Sequence, residues 1–300
     1  MANVNGGLMN PNHKQNLTTM VKPQNILANE TMKKKFTEIL GKKAPGFMAS
    51  IISLYNSDTN FSKVDGYSVV NSALMAATLD LPINKEFGFA WIIPYGKSAQ
   101  FQVGYKGFIQ LALRTGQYQK LNVIPIYDGQ LKRFNPLTED IELNFDEPIV
   151  DGEKKIIGYA FYMRLINGFE KTIYWTRKEV EEHGKRFSKT YNNGPWKTDF
   201  DAMAKKTVLK NSLTKWGILS VEMQKAIEAD QAVVEKSIDN LDDLNHDDLK
   251  YPDNPNSDDN HIVDTNFTEA DKQNGENKED NNPQDVEQKD MFEGSPFAAE

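Results

Sequence analysis

The chain has 300 residues, 39% of them hydrophobic, which is enough for a substantial core. It has no cysteine and four scattered histidines, His13, His183, His246 and His261, so a disulfide framework and a structural zinc site are set aside. With no run of about 18 apolar residues and no basic-then-apolar leader, the expectation is a soluble cytoplasmic protein without membrane contact.

Residues 1–29, rich in Asn and Gly with Pro11 and Pro23, read as a flexible arm. Helical spacing follows at Phe36, Ile39 and Leu40, breaks over 41–46, and resumes at Phe47, Met48, Ile51, Ile52, Leu54 and Tyr55. Val70, Ala73, Leu74 and Ala77 mark a third helix whose small residues permit close packing and burial. Residues 87–95 and the alternating Gln100-Phe101-Gln102-Val103 read as a hairpin about Gly96. A helix over 105–115, with Phe108, Leu111 and Ala112 on one face, stops at Gly116, and strand pattern returns over 121–127.

The strongest local signal is a second hairpin. Ile157, Tyr159, Phe161, Met163 and Leu165 alternate, as do Phe169, Lys171, Ile173 and Trp175 after Asn167-Gly168. Asn-Gly suits a type I′ turn, in which both central residues take positive φ. Thr176 is a candidate cap for a charged helix to about Ser188, and a polar loop over 189–197 leads to a helix over 199–216. Phe200, Met203, Ala204, Thr207 and Val208 cover one face of that helix and Leu209, Leu213 and Trp216 another, so it is expected to be wedged between two layers. The fold class is α+β, a mixed helical domain with a small antiparallel sheet of hairpins, with its core over 30–234. Residues 235–300 are too polar to offset their ordering entropy and read as a disordered acidic tail. Met291-Phe292 and Phe297 near its end have the look of a docking peptide.

The net charge of −8 conceals a segregation of signs. Residues 227–300 carry 22 of the 43 acids and 5 of the 35 bases, −17, which leaves 21 acids and 30 bases, +9, in residues 1–226. The field a polyanion meets is that of the basic body, whatever the whole-chain balance.

Enzyme motifs fail in turn. Gly96-Lys97-Ser98 resembles the end of a phosphate-binding loop, but position 91, where that loop needs glycine, is Trp. There is no His-Glu-x-x-His, Gly-x-Ser-x-Gly or GxGxxG. The acids Glu139, Asp140, Glu142, Asp146 and Glu147 suggest either Mg²⁺ for a nuclease or a solvated strand edge and turn, and the second reading needs nothing beyond an ordinary acid run.

The bases are interleaved with aromatic and amide side chains. Lys97, Gln100, Gln102, Tyr105, Lys106 and Arg114 form one group, Arg177, Lys178, Lys185, Arg186, Lys189, Tyr191, Trp196 and Lys197 a second, and Lys205, Lys206 and Lys210 lie on the long helix. Cationic side chains grip phosphates without reading bases, and exposed aromatics stack bases at about 1–3 kcal/mol each. Against this, a surface lysine is ordinarily a solvated charge, and Tyr191 or Trp196 serves equally well in local packing. Lys206 and Lys210, at i and i+4, repel each other unless an anion lies between them.

Three stretches carry a family resemblance. They are Leu81-Pro82-Ile83-Asn84-Lys85-Glu86-Phe87-Gly88-Phe89-Ala90-Trp91-Ile92-Ile93-Pro94-Tyr95, Gln100-Phe101-Gln102-Val103-Gly104-Tyr105-Lys106-Gly107-Phe108-Ile109, and Gly194-Pro195-Trp196 with Asp199-Phe200 and Met203-Ala204-Lys205-Lys206-Thr207-Val208. Over roughly 30–220 the chain resembles the RecT/Redβ family of phage single-strand annealing proteins. The resemblance implies binding of single-stranded DNA and annealing to duplex without ATP, any other cofactor or bond chemistry. It also implies a homo-oligomeric ring or helical filament, a bacterial host cytoplasm and a partner 5′ to 3′ exonuclease. Carried over by residue, it points first to Lys106, Lys205, Lys206 and Lys210, then to Lys97, Arg114, Lys185, Arg186 and Lys189. A passive single-strand coating protein and a metal-dependent nuclease are the rival readings. The tail, outside the resemblance, is expected either to compete with DNA for the basic groove or to recruit a partner, the exonuclease or the host single-stranded DNA-binding protein.

Overall fold

Helical spacing near the N-terminus folds into a helical layer. In the computed structural model, which describes residues 21–146, 155–234 and 248–254, this layer comprises α1 (Pro23–Leu27), α2 (Glu30–Leu40), α3 (Ala44–Ser57) and α4 (Gly66–Thr78). Asn29 and Asp65 cap α2 and α4 by accepting from the Thr31 and Ser68 amides. α4 is buried along almost its whole length, as its small residues predicted. It tolerates buried serines because they serve a neighbouring strand: Ser68 Oγ accepts from Ala99 N (2.8 Å) and Ser72 Oγ donates to Ala99 O (3.2 Å).

That neighbour belongs to the first hairpin, β1 (Ala90–Tyr95) and β2 (Ser98–Val103), paired antiparallel from Ala90↔Val103 to Tyr95↔Ser98. The amphipathic α5 (Tyr105–Arg114) follows. A three-stranded antiparallel sheet then forms from β3 (Tyr118–Tyr127), β6 (Ile156–Leu165) and β7 (Glu170–Thr176), in the order β3-β6-β7. Between β3 and β6 lies a small hairpin, β4 (Leu131–Phe134) with β5 (Ile141–Leu143). Tyr159, Phe161, Met163 and Leu165 alternate into the core as expected.

α6 (Arg177–Phe187), the single turn α7 (Pro195–Thr198), α8 (Phe200–Trp216) and α9 (Val221–Ala229) complete the body. α8 packs against β3, β6 and β7 and against α5, so its two apolar faces are both covered except at Trp216, which is 37% exposed. Tyr159 in β6 donates from its buried hydroxyl to Asp201 in α8. The fold is α+β with antiparallel strands.

Several expectations need correction. The break between the first two long helices is present but shorter than 41–46: α2 stops at Gly41, which takes positive φ (54°), a 3₁₀ turn covers Gly41–Lys43, and α3 begins at Ala44 with Pro45 in its first turn and Gly46 inside it. The second hairpin does not turn by type I′. Gly168 alone takes positive φ (89°), Gly168 N donates to Leu165 O (3.1 Å) and Leu165 N to Phe169 O (2.8 Å), which is a three-residue loop closed by a glycine bulge. Asn167 keeps ordinary backbone because its Oδ1 accepts from Phe169 N (2.9 Å). The stretch read as an arm ends in packed structure, with Pro23, Ile26 and Leu27 of α1 buried.

The segment 248–254, within the expected disordered tail, lies on the body: β9 (Leu249–Lys250) pairs with β8 (Val233–Val234). Residues 235–247 and 255–300, including the Met291 to Phe297 peptide, lie outside the described residues.

The bulged turn makes a prediction that a type I′ turn would not. Gly168→Ala should cost about 1–2 kcal/mol from forced left-handed backbone, whereas Asn167→Ala should cost only about 0.5–1 kcal/mol, the worth of one hydrogen bond. Thermal unfolding of the two variants measures the difference; equal losses would restore type I′.

Candidate nucleic-acid interface

The second basic group is built on α6. Thr176 begins the helix with a full capping box: its Oγ1 accepts from Glu179 N (3.2 Å), and the Glu179 carboxylate accepts from Thr176 N (2.7 Å). Lys185 and Arg186 fall in the last turn, where they complement the helix carbonyl end. On the inner face His183 stacks between Trp175 and Phe187, with ring centroids 5.5 and 4.6 Å away. Burial, and then the charges of Lys210 and Arg186, push the His183 pKa down to about 4, so it is neutral at physiological pH.

Gly184 fixes the loop that follows. A Cβ there would lie 2.9 Å from Tyr191 and 3.1 Å from Trp196, so only glycine lets these rings close on the helix. Trp196 is 6% exposed and packs between Tyr191 and Phe200, which makes it a pillar of the loop. Lys185, Arg186, Lys189 and Lys197, on the helix end and the segment that the pillar supports, are all exposed. Lys178 is exposed beside Glu182 (3.7 Å), and half-buried Arg177 is held by Glu181 (3.1 Å) and Asp201 (3.8 Å) over the Phe200 ring.

The long-helix lysines divide. Lys205 is half-exposed and has no ion pair among the described residues, whereas Lys206 is 8% exposed and its Nζ donates to Asp230 Oδ1 (3.0 Å). Lys210 donates to Asp230 Oδ2 (2.8 Å), and Val103 N donates to Oδ1 as well (2.9 Å). The anion required between Lys206 and Lys210 is thus supplied by the chain itself. Burial raises the Asp230 pKa, but the two ammoniums outweigh it and hold the carboxyl below its ordinary range; Lys206 is lowered, chiefly by burial. Two lysines on one carboxylate leave a unit of positive charge under α8.

In the first group, Lys97 is exposed in the β1–β2 turn and Lys106 is exposed in the first turn of α5. Gln100 is buried, donating to Gln231 O (2.7 Å) and accepting from Gln102 Nε2 (2.9 Å). Tyr105 is half-buried against the core. Arg114 donates to Leu79 O (2.6 Å) and Asp80 O (2.8 Å), closing the carbonyl end of α4.

The acids proposed for a metal do not converge. Glu139 turns at φ 62°, forms an ion pair with Lys171 and accepts from Thr172 N (3.3 Å), while Asp140, Glu142 and Asp146 are exposed. Among the described residues no three His, Cys, Asp or Glu side chains are placed to hold a metal ion; Glu147 lies outside them.

Two acids that sequence reading passed over matter more. One is Asp230. The other is Asp253, 5% exposed, whose Oδ2 accepts from Ser188 Oγ (2.9 Å), whose Oδ1 accepts from Thr190 N (3.1 Å), and whose carbonyl accepts from Lys189 N (2.8 Å). The preceding residues span to the hairpin, where Tyr95 donates to Pro252 O (3.3 Å), and to α9, where Tyr251 donates to Glu228 O (2.6 Å). This strap connects the first basic group to the second.

Comparison with known proteins adds a second line. The model of the RecT family matches residues 45–243. The Bacillus subtilis (strain 168) protein YqaK is 59% identical over 202 residues, 67% of this chain and 69% of that one. The Escherichia coli (strain K12) protein RecT is 29% identical over 234 residues, 74% of this chain and 77% of that one.

Asp230→Ala leaves Lys206 buried without its counter-charge and the Val103 amide without its acceptor, and should cost about 3–5 kcal/mol in denaturant unfolding. His183 sets a pH dependence. Its folded pKa lies below that of the unfolded chain, so its neutral form is fully accommodated above about pH 6.5, and stability falls as pH drops toward about 4, by about 3 kcal/mol at full effect. His183→Phe should flatten the melting temperature across that window relative to the unmodified chain.

Proposed function

The chain belongs to the RecT family, and on that footing we propose that it binds single-stranded DNA, assembles on it as a homo-oligomer, and anneals complementary strands without nucleotide hydrolysis. The observation that carries this reading is the segregation of charge: a body of +9 whose Lys97, Lys106, Lys185, Arg186, Lys189, Lys197 and Lys205 are solvent-facing or half-exposed and make no ion pair with another described residue. Groups of this kind grip phosphates without reading bases. An annealer requires that, because base edges must stay free to find their complements. Duplex stacking, roughly 1.4 kcal/mol per step, then supplies the driving force, so no hydrolysis is needed.

Within this proposal the predicted residues take two roles. Lys97, Lys106, Lys178, Lys185, Arg186, Lys189 and Lys205 meet phosphates directly. Gln100, Tyr105, Arg114, Arg177 and Trp196 hold the framework, and Lys206 and Lys210 contribute the unit of charge left over at Asp230. A 5′ to 3′ exonuclease would expose the strand. Recruitment of it, or of the host single-stranded DNA-binding protein, is assigned to Met291 to Phe297.

The test follows two complementary dye-labelled oligonucleotides in the absence of nucleotide. The protein should accelerate duplex formation. Lys185→Ala/Arg186→Ala/Lys189→Ala should lose most of the acceleration and lower the slope of log affinity against log salt by about 2, at about 0.7 per phosphate contact on a single strand. Lys205→Ala should weaken binding while leaving stability within about 0.5 kcal/mol. Binding without acceleration would leave a coating protein, and strand shortening on adding Mg²⁺ or Mn²⁺ would leave a nuclease.

A further inference from the structure

Asp253 occupies a site that is made for an anion. Ser188 Oγ and Thr190 N converge on its carboxylate at 2.9 and 3.1 Å, and Lys189 N is engaged by its main-chain carbonyl at 2.8 Å. Ser188 closes the C-terminal end of α6, a place where helix carbonyls disfavour negative charge. The site overcomes that disadvantage with an amide and a hydroxyl from the outgoing turn, on a segment whose neighbouring Lys185, Arg186 and Lys189 are exposed. Such a set of donors has the same chemistry as a backbone phosphate site, and the carboxylate in it comes from the acidic end of the chain.

The strap that delivers this carboxylate is short. β9 contributes two residues of pairing to β8, Leu249 and Tyr251 rest against the core, and the Tyr251 hydroxyl on Glu228 O and the Tyr95 hydroxyl on Pro252 O are among its anchors. Along its course it joins the hairpin bearing Lys97 to the loop bearing Lys189, so it lies where a strand touching both groups would run. We propose that the turn at 188–190 is a binding site for a phosphodiester of single-stranded DNA, and that Asp253 fills it until an incoming strand displaces the strap. The proposal rests on the annealing reading and deepens it. It names one phosphate contact and the internal group that competes for it. Only the fraction of molecules with the strap released presents the full site, so apparent affinity is reduced by that fraction.

The experiment uses the full chain and a labelled oligothymidylate. Asp253→Ala should bind about three- to tenfold more tightly than the unmodified protein, as expected if the strap is closed in most molecules. Tyr251→Phe, which loosens the strap without touching the site, should give a smaller gain in the same direction. Adding Ser188→Ala to Asp253→Ala should abolish several-fold of the gain, because Ser188 would then be a phosphate ligand. Circular dichroism confirms folding of each, and Tyr251→Phe carries the test if Asp253→Ala does not fold. Unchanged or weaker binding in Asp253→Ala and Tyr251→Phe, with annealing intact, would overturn the phosphate site and leave the annealing reading standing. An equal affinity with and without Ser188 in the Asp253→Ala background would also overturn it. If neither the unmodified chain nor any variant binds single-stranded DNA, the annealing reading itself falls.

Discussion

One buried carboxylate closes this fold. Asp230 ends α9, accepts from two lysines of α8, and accepts from the last residue of β2, so three elements distant in sequence meet on two oxygen atoms. Taking that carboxylate and the Lys206 ammonium out of water is costly, and the arrangement is stable because both carboxylate oxygens find donors, three in all. Its geometric consequence is larger than its energy. With α8 tied to the hairpin through Asp230 and packed between α5 and the β3-β6-β7 sheet, the orientation of α8, and with it Lys205, is set by the core and not by the surface.

The basic surface inherits its order from that framework. Trp196 and Tyr191 close on Gly184, the loop after α6 takes one course, and Lys185, Arg186 and Lys189 project from a supported turn. Cations so placed need no partner within the body. The acids that would neutralise them are carried downstream, and one, Asp253, has returned to the turn. Charge is thus distributed so that the body is basic while the whole chain stays acidic.

Local structure was legible in the sequence, and long-range chemistry was not. The Thr176 cap, the alternation of Tyr159, Phe161 and Met163, and the two apolar faces of α8 each declare themselves within a few residues, because period and capping are short-range properties. Asn167-Gly168 declared a turn but not its type, since the Asn side chain satisfies Phe169 N and relieves its own backbone of positive φ. Asp230 and Asp253 each sit in an acid-rich stretch where one carboxylate looks like the next. Only tertiary contact, across 20 residues or more in one case and across 63 in the other, sets them apart. For the same reason the spacing of Lys206 and Lys210 called for an anion between them without naming its source, Asp230. Gln100 and Trp196 are polar and aromatic residues of the interacting type that turn inward because Gln231 and Gly184 give them partners there.

The edge of β2 has a consequence for how the chain comes to be folded. Phe101 N donates to Ala232 O (2.9 Å) and Gln231 N donates to Phe101 O (2.8 Å), so beyond Ala99, which Ser68 and Ser72 cover, the outer edge of the first hairpin is covered by chain synthesised some 130 residues later. Such a contact has high sequence separation and forms late, after the local hairpins and helices. During that interval β2 is an open strand edge flanked by Phe101 and Val103, the kind of surface on which two incomplete copies pair with each other. Production of native protein is therefore a race between residues 230–234 reaching their own β2 and a neighbour reaching it first, and slow, dilute synthesis favours the former.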